Sequence, residues 1–83
     1  MNFELAILAL EGLARSPLKI ELTESGATIQ GSGASFRELA RLCLLLGSDG
    51  TEDGETLDLQ SNVHLAAGSV GLRLLRTAVS DAH

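Results

Sequence analysis

One short helix, signalled at both ends, is the element that most limits how this chain folds. Gly31-Ser-Gly-Ala-Ser leads into Phe36-Arg-Glu-Leu-Ala-Arg-Leu-Cys-Leu-Leu-Leu, and Gly47 follows. Ser35 and Glu38 have capping-box spacing, in which hydroxyl and carboxylate take up orphan amides of the first turn. Gly47 stands where a left-handed residue closes a helix. The spacing predicts a helix over about 35–46. Phe36, Leu39, Ala40, Cys43 and Leu46 form its inward stripe, with Leu42 beside them. Leu44 and Leu45 fall outside that stripe, among Arg37, Glu38 and Arg41, and make a candidate contact patch.

The segments around this helix alternate with the two-residue period of strands. Phe3, Leu5 and Ile7 alternate with Asn2, Glu4 and Ala6, which predicts a first strand. The pattern blurs over 8–15, where helix, strand and loop all remain open, and Pro17 stops any helix from running on. Leu18, Ile20 and Leu22 alternate cleanly, Glu24-Ser25-Gly26 is turn chemistry, and Ala27-Thr-Ile-Gln returns as a hairpin. Residues 48–56 hold no apolar side chain and read as a flexible acidic loop. Leu57, Leu59, Val63 and Leu65 share one parity, and after a break at 66–69 Val70, Leu72 and Leu74 resume alternation, giving a second hairpin. Residues 80–83 are expected to fray.

The expected fold class is therefore α+β. It is a small two-layer single domain over 1–83, with one helix on a mainly antiparallel sheet of about four to five strands. At 83 residues there is room for one core. That core is aliphatic, because 45% of residues are hydrophobic and only 2% aromatic.

Composition narrows function mostly by exclusion. A net charge of −5 repels phosphate backbones, so nucleic acid is not an expected partner. The apolar run at 5–10 is too short to span a bilayer, which excludes a membrane role. Cys43 is the only cysteine, so no intrachain disulfide forms, and a reducing cytoplasm is the expected location. His64 and His83 are too few imidazoles for a metal site, and Cys43 on the inward stripe is a poor nucleophile. Asp49, Thr51, Asp53 and Gly54 echo a calcium loop, but Gln60 replaces the carboxylate its twelfth position needs. Neither cofactor nor enzyme activity is expected.

Two segments together resemble a known family. Gly31-Ser-Gly-x-x-Phe-Arg-Glu-Leu-Ala-Arg-Leu-x-Leu-Leu-Leu and Val63-His-Leu-x-x-Gly-Ser-x-x-Leu resemble bacterial immunity protein 32, over roughly the C-terminal two-thirds of the chain. The chain departs from that pattern at Ala66, where an acidic residue is expected. The resemblance implies a cytoplasmic, non-enzymatic antidote that binds a cognate protein toxin. Candidate partner-binding residues are Leu44, Leu45, Asp49, Glu52, Asp53, Glu55 and His64, the acidic ones serving to steer a basic partner face. Two alternatives stand beside it: a homodimeric structural domain joined through its leucines, and an anion or ligand binder using the Gly31–Ser35 turn.

Overall fold

The first residues form a helix, not the strand their alternation predicts. In the computed structural model, which describes residues 1–78, helix α1 spans Phe3–Arg15. Asn2 caps it, its side-chain oxygen accepting the Leu5 N–H at 3.2 Å. Glu4 in the first turn and Arg15 in the last suit the helix dipole. Pro17 stands just beyond the Ser16 C-cap, where the helix ends. The side chains whose alternation imitates a strand are the exposed ones, Phe3, Leu5 and Ile7. The buried face is Ala6, Ala9, Gly12 and Leu13. Asn2→Ala is expected to cost about 1 kcal/mol, read as a lower urea midpoint; a strand at this position would show no such loss.

Strands β1 (Lys19–Thr23) and β2 (Gly26–Gln30) form the expected antiparallel hairpin, with Ile20 opposite Ile29 and Leu22 opposite Ala27. Helix α2 (Gly33–Leu46) begins earlier than its expected cap. Its capping box pairs Ser32 with Ser35, each side chain accepting the other's backbone N–H at 3.2 Å. Gly47 is not left-handed: it closes the helix at φ −85°, donating its N–H back to Cys43 and Leu45.

The inward face of α2 is turned from the expected stripe by about 100°, one residue's step. Ser35 and Leu42 are buried, and Leu39, Leu45 and Leu46 half-buried, whereas Phe36, Ala40 and Cys43 are exposed. Cys43 is thus a surface thiol. Because the last turn is leucine at 42, 44, 45 and 46, hydrophobicity alone does not set its phase.

Strands β3 (Thr56–Leu59) and β4 (Leu72–Leu75) pair antiparallel, Leu57 opposite Leu74 and Asp58 opposite Arg73. The hairpin is shorter than its parity predicts. After Leu59 the chain knots on the Gln60 carbonyl, which accepts the N–H groups of Val63, His64 and Leu65, and Val63 is left exposed. The architecture is α+β, but the described residues form two helices and two separate two-stranded sheets in place of one helix on one larger sheet.

Residues 65–70 join the two sheets. Leu65 bridges Leu18 in parallel, the Ala66 N–H donates to the Leu18 carbonyl at 2.8 Å, and the Val70 N–H to that of Ile20 at 3.0 Å. Between them the Ser69 hydroxyl accepts the Ile20 N–H at 2.6 Å, taking the place of a strand carbonyl. Gly68, at φ +81°, makes the turn that aims it. The Gly-Ser pair in the resembling motif thus completes the otherwise open edge of β1. Leu13, Leu18, Leu42, Leu59 and Leu65 meet in the centre, each 2% exposed or less.

Candidate functional site

α1 and α2 lie antiparallel: Gly12 abuts Glu38, while Leu5 and Leu8 share a cavity with Leu44 and Leu45. The small residues of α1 permit this close approach. A Cβ on Gly12 would come within 2.5 Å of the Glu38 carboxylate. Residues of the two helices also line a groove of about 500 Å³, with Leu5, Leu8, Ala9, Leu44 and Leu45 as its apolar walls. Arg15, Glu38 and Arg41 also line it. Its apolar walls face outward: Leu5, Leu8 and Leu44 are 50%, 59% and 74% exposed.

The polar residues of the groove are on neighbouring turns. Glu38, largely shielded, accepts a hydrogen bond and ion pair from Arg41 one turn on. Arg15 has no ion-pair partner among the described residues. The groove therefore offers aliphatic surface together with a free guanidinium. Such a mixture of aliphatic surface and a cation matches the composition of polypeptide contact surfaces.

The sequence-predicted site residues divide. Leu44 and Leu45 do line this groove, Leu44 pointing outward and Leu45 packing partly on the core. The acidic residues lie in a different setting, and their loop is tied down rather than free. Thr51 is buried and donates its hydroxyl to the Leu45 carbonyl at 2.7 Å, as does Ser48. Arg76 donates to the carbonyls of Leu46 and Ser48, so a cation from beyond β4 serves the C-terminus of α2, which has no basic residue of its own there.

Asp53 pairs with Arg76 at 3.1 Å, and Glu55 accepts the Glu52 N–H at 2.5 Å and lies 3.7 Å from the Met1 amino group. The carboxylates of Asp49 and Glu52 have no hydrogen-bond or ion-pair partner among the described residues. His64 is a turn residue whose Nδ1 accepts the Gln60 N–H at 3.3 Å. It is not part of the groove lining. On the exposed face of the second hairpin, Asp58 accepts from Arg73 at 2.7 Å, which raises the guanidinium pKa further, through the hydrogen bond first and the charge second.

The turn before α2 is partly self-satisfied. Ser32 and Ser35 have their amides on each other's hydroxyls, which withdraws those donors from any bound anion. No three potential metal ligands cluster among the described residues, and no described helix is long and apolar enough to cross a membrane. The α1 half of the groove, Leu5, Leu8 and Arg15, is absent from the sequence-derived site because alternation over 2–7 imitates a strand and the pattern over 8–15 is blurred. The Asn2 cap and the Ser16-Pro17 stop are the signals that reveal it. No protein-family model, curated protein or solved structure matches the chain.

Proposed function

We propose that this chain is a non-enzymatic protein-binding module whose contact surface is the groove between α1 and α2. The observation that carries this reading is the continuity of Leu5, Leu8 and Leu44 across two helices, each at least half exposed although the core is filled by other leucines. Exposed aliphatic side chains scattered singly need no explanation, but a row crossing two elements marks a contact surface. The immunity-protein resemblance makes a cognate protein toxin the partner class, and the net charge of −5 favours approach of a basic face.

Leu8→Ser combined with Leu44→Ser tests the surface, since neither side chain belongs to the core. The probe is a toxin whose lethality this chain suppresses, selected from the toxin-like genes of the source genome and co-expressed with either form. The unchanged chain is expected to protect the cell and the double variant to fail, with the purified complex dissociating at least about tenfold faster. Equal protection and equal off-rates would overturn the groove as the contact surface. Asp49→Asn with Glu52→Gln is expected to slow association at low salt only, because screening shortens the reach of exposed charge. Asp53 and Glu55 already have partners within the fold, and they contribute less to steering.

A further inference from the structure

The outer edge of β2 lies apart from the groove and carries information of its own. Ile20 turns its N–H and carbonyl toward residues 69 and 70, away from β2. Ile29 is its direct antiparallel partner, so Ile29 turns its own pair outward, and Ala27, two residues back, does the same. No described residue pairs with that edge, and all five residues of β2 are exposed.

Natural sheets guard such an edge with lysine, proline, a bulge or a covering loop. Gly26-Ala-Thr-Ile-Gln has no charge and no proline, in a chain of net charge −5. The charges on neighbouring β1, Lys19 and Glu21, neutralise each other at 2.9 Å. This edge is therefore a place where two copies of the chain meet without like-charge repulsion.

We infer that the protein forms a homodimer by antiparallel pairing of β2 with β2 of a second copy, about a two-fold axis at Thr28. The edge is self-complementary in that register. Ala27 stands opposite Ile29 of the second copy, and each such pair exchanges both backbone hydrogen bonds. Thr28 meets its own counterpart in the intervening site, where side chains approach most closely. Cross-strand partners share a face, so Leu22 and Ala27 of one copy continue into Ile29 and Ile20 of the other. That places Leu22, 71% exposed in the single chain, and Ile29, 39% exposed, in one apolar row. A five-residue edge is about 17 Å long. Such an edge provides less than the roughly 800 Å² per partner of a standard interface, so the dimer is reversible and concentration-dependent.

Charge swapping at Thr28 is the test, by sedimentation equilibrium from micromolar to millimolar protein, with circular dichroism checking the fold. The unchanged chain is expected to pass from monomer to dimer. Thr28→Lys alone and Thr28→Glu alone are expected to dimerise roughly tenfold more weakly, since like charges then face each other. An equimolar mixture of the two should regain the dimer, and in the unchanged chain the Ala27 and Ile29 amides should exchange more slowly as concentration rises. A chain that stays monomeric to millimolar concentration would overturn the inference. So would a dimer indifferent to both Thr28 variants but lost in Leu8→Ser with Leu44→Ser, which would place self-association in the groove.

Discussion

Leu42→Ala is expected to lower the unfolding free energy by about 2–5 kcal/mol in urea melts. Leu42 is 0% exposed and joins α2 to Leu13 of α1, Leu18 and Ile20 at the start of β1, and Leu57 and Leu59 of β3. Truncating it loses the transfer free energy of the removed atoms and leaves a cavity that its neighbours fill only in part. A domain of this length has a total stability on the order of 4–12 kcal/mol, so the loss is a large fraction of what holds the fold. Cys43→Ala, one residue along, is expected to change stability by less than about 0.5 kcal/mol, because its side chain is on the surface. Reversed magnitudes would mean that α2 presents the face its hydrophobicity predicts rather than the one described.

Ser69→Ala is expected to cost about 1–3 kcal/mol, the penalty for leaving a buried donor without its acceptor. The Ile20 N–H bonds to the Ser69 hydroxyl at 2.6 Å, and the site is buried. Hydrogen exchange gives a sharper readout than the melt: protection of the Ile20 amide should fall, while amides in the interior of α1 keep theirs. Ser69→Thr retains the hydroxyl and should restore part of the loss. A Ser69→Ala chain with full stability and full Ile20 protection would show that water or another acceptor replaces the serine.

The hairpin of β1 and β2 was plain in the sequence because one of its faces meets the core at Ile20 and its turn residues stand together. The helix α2 was equally plain in extent but not in phase. Its buried face includes a serine, its exposed face a phenylalanine and a leucine, and its last turn is apolar almost all round. α1 is hidden in the sequence for a related reason. Its core-facing residues, Ala6, Ala9 and Gly12, are small because the neighbouring helix is close, and small residues give a weak hydrophobic signal. The strong signal came from Phe3, Leu5 and Ile7, which face away from the core. The candidate surface was consequently half visible: Leu44 and Leu45 stood out against a charged face, whereas Leu5 and Leu8 had no helix to belong to. The acidic segment looked free because its restraints, Arg76 above all, come from the far end of the chain.

That dependence on late residues has a consequence for how the protein is made. Ser69 lies 49 positions after Ile20. A ribosome extends the chain by about 5–20 residues each second, so β1 emerges seconds before the segment that covers its inner edge. During that interval the nascent hairpin has both edges bare, and Leu18 lacks its later neighbour Leu65. Newly made chains on crowded polysomes therefore meet their greatest risk of mispairing before residues 65–70 are free to pair with β1. Slower synthesis would lengthen that exposure rather than relieve it.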